Sequence, residues 1–261
     1  MLVEPERTRY DVNFRVLRFP VRVHPLFWIF TALLGATALE QLGVLYLLIW
    51  MVAVFVSILV HELGHALAFR RFGADSHIVL YAFGGLAVPW SGVQGRWRRI
   101  VVSLAGPLAG FLLCGLVYGS NEWLKWADPR TLAIFYTYWV FVRINLVWNL
   151  LNLLPVFPLD GGQVSQEVCG AVWRRNGQRI ALQISFAVAC LVALYSVACY
   201  IDDRGNRTLL AWLPDWFPRT GLWGAILFAL LAVQSYQLLQ QLAKPYYYFE
   251  DAEDDRPPWR R

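Results

Sequence analysis

His61 and His65 stand four residues apart, with Glu62 beside the first, in the run Val60-His61-Glu62-Leu63-Gly64-His65. On a helix that spacing brings both imidazoles to one face, where they can share a metal ion. Glu62 is then placed to take a proton from a water on that metal. The run lies inside an apolar stretch long enough to cross a bilayer. In a soluble chain the pattern points to a zinc peptidase; within lipid it points to one whose substrate is in lipid as well. The rival reading is a polar helix face that binds other helices. It is weak, because three ionisable groups in one turn of a membrane span are costly to bury without metal or water.

Two imidazoles leave a catalytic zinc site incomplete, since such a site takes three protein ligands. Asp160 is the leading candidate for the third, in the block Asn152-Leu153-Leu154-Pro155-Val156-Phe157-Pro158-Leu159-Asp160-Gly161-Gly162. The two prolines should break a helix there and let the chain turn back to present a carboxylate. The plainer role for Asp160 is a turn or cap before the glycine pair. Glu167, His77 and Glu122, in that order, are the substitutes if Asp160 is not a ligand. Asn145, Asn149 and Asn152 share one helical face; the first two suit hydrogen bonds between helices, and the third suits a helix-end cap. Arg143 falls inside a span, where it pairs or snorkels. His24 and His77 are read as interfacial.

The elements that must position these groups are membrane helices. Of 261 residues, 58% are hydrophobic and only 16% charged, against about 25% charged in an ordinary globular domain. Thirteen Trp and twelve Tyr fit the aromatic belts of a membrane protein. Six apolar stretches, near 25–39, 43–69, 100–119, 131–154, 180–200 and 221–242, approach or exceed the roughly 20 residues a spanning helix needs. The first is short and is expected to be tilted or partly re-entrant. Residues 1–24 read as a basic cytoplasmic lead-in without a cleavable signal, 25–242 as the membrane-embedded domain, and 243–261 as a cytoplasmic tail.

Lys and Arg set the orientation of such a bundle. Seventeen of the 23 fall in the N-terminal segment, the connections after the second and fourth spans, and the tail. Five fall on the other side, and Arg143 lies within a span. Both termini are therefore expected in the cytoplasm. His61 and His65 would lie roughly 7–14 Å inside the cytoplasmic end of the second span. Asp160 follows the cytoplasmic end of the fourth, so all three reach the same side. The net charge of +5 forms no basic stripe with interleaved aromatics, which argues against nucleic acid as a partner. Cys114, Cys169, Cys190 and Cys199 form no CxxC pair, and read as small core residues.

Taken together, HExxH at 61–65 and the LNLLPVFPLDGG block at 151–162 resemble the site-2 protease family of intramembrane zinc metalloproteases. Phe83-Gly84-Gly85 is similar to that family's re-entrant β-hairpin after the second helix. Ser103-Leu104-Ala105-Gly106-Pro107-Leu108-Ala109-Gly110 is similar to its third-span motif, with Gly110 where many members carry Asn. The resemblance implies an all-α polytopic membrane protein with about six transmembrane helices and a small hairpin, its catalytic core near 43–165. It implies one Zn2+ on His61, His65 and Asp160, and Glu62 as catalytic base. It implies Asn152 as a donor to the substrate carbonyl, and Gly84 and Gly85 on a strand that pairs with substrate. The expected substrate is a single-span membrane protein cut within or near its span. The expected location is a bacterial inner membrane. The compact core matches best the branch of the family named for sporulation, without a PDZ-like insert or a nucleotide-sensing domain.

Three rivals belong to other classes. A zinc-binding pseudoprotease or chaperone has no need of Glu62. A metal transporter calls for ionisable residues along a path, and the first, fifth and sixth spans are nearly devoid of them. A prenyl-protein-processing zinc protease takes Glu as third ligand, and Asp160→Ala against Glu167→Ala separates it.

Overall fold

The computed structural model describes residues 4–82, 84–204 and 220–243. Phe83 and the tail from residue 244 lie outside the described residues. Twelve elements follow in the order β1 (Val12–Val16), β2 (Phe19–Val23), α1 (Pro25–Leu34), α2 (Ala36–Leu42), α3 (Val44–Arg71), β3 (Ser76–Tyr81), β4 (Gly84–Pro89), α4 (Arg96–Leu124), α5 (Leu132–Asn152), α6 (Asp160–Val172), α7 (Gly177–Arg204) and α8 (Gly221–Ala243).

The expected hairpin is present as β3–β4, but it is half of a four-stranded sheet in the order β1-β2-β3-β4. The segment read as a basic lead-in supplies the other half. Its strands alternate, Val-Asn-Phe-Arg-Val and Phe-Pro-Val-Arg-Val, and β2 buries Phe19, Val21 and Val23. Arg22 of this segment is 7% exposed. Its guanidinium binds Glu4 at 2.7 Å and Asp11 at 3.0 Å, folding the preceding chain onto the sheet. The apolar side of β2 and β3 packs on α1 and α3 through Phe27, Val54, Ile58, Ile78 and Leu80.

Pairing of β2 with β3 is parallel, Val21 opposite Ile78 and Val23 opposite Leu80. Parallel strands need a long crossover, and here it is α1, α2 and α3. The two strands lie in one sheet and hence on one side of the membrane, while α3, at 28 residues, crosses it once. The chain must therefore cross once more between β2 and α3. The pair α1–α2 does this, broken at Gly35 by a bend of 51°. The first apolar stretch is thus a broken span over Pro25–Leu42, and Trp50 of α3 packs into the gap at Gly35. With α4, α5, α7 and α8 the described residues hold five helices long and apolar enough to cross a membrane, six when the bent pair counts as one span.

His24 caps α1, its Nδ1 accepting from the Leu26 amide at 3.2 Å, with Pro25 in the first turn. The connection after α5 is not a simple turn. It holds α6, about 20 Å long and too short to span, which packs against α4 and α7. The α7–α8 hairpin covers Val156 with Ala189, Phe228, Leu231 and Ala232. Ser185 of α7 accepts from the Phe157 amide at 2.8 Å and bonds Ser235 of α8 at 2.7 Å, fixing the proline loop to that hairpin.

Candidate metal centre

Helix α3 carries His61 and His65 one turn apart and α6 begins with Asp160; all three are buried. The His61 and His65 Nε2 atoms are 3.2 Å apart. Asp160 Oδ2 is 3.1 Å from His61 Nε2, and Oδ1 is 3.3 Å from His65 Nε2. This is the one such group of three or more among the described residues. Tetrahedral zinc with bonds of about 2.0–2.1 Å spaces its ligand atoms about 3.3 Å apart, so the three atoms fit it.

The hydrogen bonds on the far side of each ring decide which protons are present. His65 Nδ1 is 2.7 Å from the Val102 carbonyl of α4, which can only accept, so Nδ1 carries the proton. His61 Nδ1 is 2.8 Å from Asn149 Oδ1 of α5. The Asn149 amide nitrogen is committed to the Asn145 carbonyl, so its oxygen accepts from His61. With those nitrogens committed, each ring turns its Nε2 towards the Asp160 carboxylate. Asp160 Oδ2 is buried with no hydrogen-bond partner among the described residues. With both Nε2 atoms unprotonated the site offers three converging lone-pair atoms, which repel one another unless a cation lies among them. The donor set fits a divalent metal, and borderline zinc suits its nitrogen and carboxylate ligands.

Glu62 shares a cavity of about 360 Å³ with these residues. Its carboxylate rests on β4, where the Ala87 amide donates to it. Any side chain at Gly85 would collide with Glu62, so close approach of strand and carboxylate requires glycine there. Gly106 of α4 plays the same part beside the His65 ring. Because β4 ends the sheet, its outer edge pairs with no other strand among the described residues, and Gly85, Leu86 and Ala87 line the cavity.

The other singled-out residues divide clearly. Asn152 lines the cavity, with its amide nitrogen held by the Trp148 carbonyl at 3.0 Å. Gly84 (φ +123°) packs on the Trp148 ring and is outside the cavity wall. None of the substitute ligands enters the centre. Glu167 pairs with Arg99 and Arg96, His77 lies between Glu4 and Trp90, and Glu122 pairs with Lys125. Asn145 bonds Ser57 of α3 at 2.8 Å, a helix-to-helix bond as expected. Asn149 is also interhelical, but its partner is His61, a positioning role that sequence reasoning missed. The face shared by the three Asn residues was visible; which helix it meets was not.

A protein-family model for peptidase family M50 matches residues 49–126 and 125–194. The chain belongs to that family, the site-2 protease family of membrane zinc metalloproteases. Rip3 of Mycobacterium tuberculosis is 32% identical over 221 residues, covering 78% of this chain and 55% of Rip3. A zinc metalloprotease of Methanocaldococcus jannaschii is 24% identical over 190 residues, covering 70% of this chain and 53% of its own length. Stage IV sporulation protein FB of Bacillus subtilis is 32% identical over 147 residues, 55% of this chain and 46% of that one. The chain thus spans about half the length of these relatives. Among solved structures, the site-2 protease from Methanocaldococcus jannaschii superposes with a TM-score of 0.54 at 18% identity. It covers 87% of this chain and 94% of that one, a likeness of fold.

Proposed function

We propose that the chain is an intramembrane zinc endopeptidase that hydrolyses a peptide bond in or near the transmembrane segment of a single-span precursor. The observation that carries this reading is the convergence of three lone-pair atoms on one point, with an unblocked carboxylate, Glu62, in the same cavity. A protein that only stores or senses metal has no use for that fourth group.

His61, His65 and Asp160 would hold one zinc ion. When bound, the metal supplies a Lewis acid that acidifies water and polarises a peptide carbonyl. The remaining work falls to the chain. Glu62 accepts the proton of the attacking water and returns it to the departing amine. Asn149 and the Val102 carbonyl keep the imidazoles in the tautomer that leaves both Nε2 atoms free. Asn152 stands at the cavity wall, where its amide can donate to the substrate carbonyl as charge develops. A helical substrate hides its carbonyls, so it must unwind before attack. The free edge of β4 at Gly84 and Gly85 offers the unwound strand backbone partners. The location that fits is a bacterial inner membrane with both termini cytoplasmic, so that cleavage releases a cytoplasmic fragment.

Zinc per chain in the purified protein tests this without a known substrate. One equivalent in wild type and Glu62→Gln, with marked loss in Asp160→Ala, is the expected result. Full zinc in Asp160→Ala would move the third ligand elsewhere. A folded wild type without zinc would overturn the reading. Once a susceptible membrane substrate is in hand, Glu62→Gln must abolish its cleavage.

A further inference from the structure

Arg143 sits in the middle of α5, eleven residues after Leu132 and nine before Asn152, about 16 Å and 14 Å from the helix ends. The buried residues of this helix are Tyr138, Val140, Asn145 and Asn149. A separate stripe of the same helix carries Trp139, Arg143, Leu146 and Leu150, spaced four, three and four, and all are exposed. Arg143 is therefore the single charge in an apolar stripe that faces lipid. Among the described residues it makes no ion pair, hydrogen bond or ring contact. Its depth places the guanidinium far from either interface, even with its long stem extended along the helix. An unpaired charge at that depth is costly, and in membrane proteins such charges pair with one another.

We propose that the outer face of α5 is a docking surface for a transmembrane helix of another protein that carries an Asp or Glu near the middle of its span. Charge complementarity selects this occupant. A second copy of the chain fits poorly: a two-fold contact through the stripe would set Arg143 against Arg143, and α5 contains no acidic residue to answer it. Trp139, Leu146 and Leu150 supply apolar contact on either side of the charge. None of the four stripe residues lines the cavity, so the occupant is a companion in the membrane and leaves the cavity free.

The test uses the full chain in phosphatidylcholine vesicles, labelled for energy transfer to dilute synthetic spans. These are 23-residue Leu/Ala peptides, flanked by Lys, with a single central Asp, Asn or Leu. The Asp peptide is expected to associate at least tenfold more tightly than the Leu peptide. Arg143→Leu should remove that advantage, while Arg143→Lys should retain most of it. Equal association of the Asp and Leu peptides with wild type would overturn the proposal. So would an Asp advantage that survives in Arg143→Leu, or an Asn peptide that binds as well as the Asp one. Energy transfer between copies of the chain itself that is lost in Arg143→Leu would replace the proposed partner with a second copy. Cooperative melting in detergent shared by wild type and both variants ties the readout to the side chain and not to misfolding.

Discussion

His61 and His65 are each held at the nitrogen that faces away from the centre, one by a side-chain amide and the other by a main-chain carbonyl. The difference matters, because only the amide can be removed by mutation. Partners of this kind fix ring orientation and commonly contribute 10–100-fold to metal affinity. Asn149→Ala is therefore expected to weaken zinc binding 10–100-fold, read by competition with a chelator. A change of less than threefold would mean that packing alone orients the His61 ring. Gly110 has its own place in this arrangement. A side chain there would overlap the Asn149 amide, so the glycine that departs from the common family pattern leaves room for the group that holds His61. The ligands and the base were legible in the sequence because their spacing is fixed within one helix and one loop. Asn149 was not, because its role depends on how α5 is rotated against α3, a matter of packing between distant segments.

The N-terminal hairpin shows a different limit. Its alternation of apolar and polar residues is present in the sequence, beside five Arg in 22 residues that bear on orientation. Two of its features are tertiary: the parallel register with β3, and the burial of Arg22 among carboxylates. Burial works against ionisation of Glu4, yet the hydrogen bond from Arg22 and the neighbouring His77 outweigh it and hold this carboxyl below its ordinary 4.5. Asp11 likewise overcomes its burial, through bonds from Thr8 and Arg22, and lies below its ordinary 3.8. Both groups bind fewer protons folded than unfolded, so their contribution is fully present above those ordinary values and is lost as pH falls through the lower folded ones. Amide exchange in residues 4–23 is expected to stay slow at pH 6 and to quicken, after correction for intrinsic rates, as pH falls through and below about 4. The same pH series on Arg22→Gln should be nearly flat. A wild-type profile as flat as that of the variant would show that the ion pairs do not anchor the segment.

For the molecule as a whole, the sequence count of about six spans agrees with five long apolar helices and one bent pair among the described residues, with α6 too short to span. The arrangement assigns the Leu17–Arg18 turn and the α6–α7 turn to one face of the membrane, and the α4–α5 connection to the other. Single cysteines at Leu17, Asn176 and Ala127 report this. An impermeant thiol reagent applied to intact cells should label Ala127→Cys and leave the other two unlabelled until the membrane is opened. Labelling of Leu17→Cys together with Ala127→Cys would remove the crossing assigned to α1 and α2. The long apolar runs made the spans legible. The break at Gly35 was not, because it reflects how Trp50 of α3 fills the bend.

The parallel pairing of β2 with β3 also has a consequence for how the chain is made. Val23 leaves the ribosome 58 residues before Tyr81, and at about 5–20 residues per second that is a delay of roughly 3–12 s. During that interval β2 has its hairpin partner but not its inner neighbour. Three helices must enter the membrane before the neighbour arrives. The sheet that lines the cavity can close only around a correctly inserted pair of spans, so its completion acts as a checkpoint on early insertion. A chain that inserts its first span wrongly would leave Phe19, Val21 and Val23 uncovered, an adhesive surface that quality control can recognise.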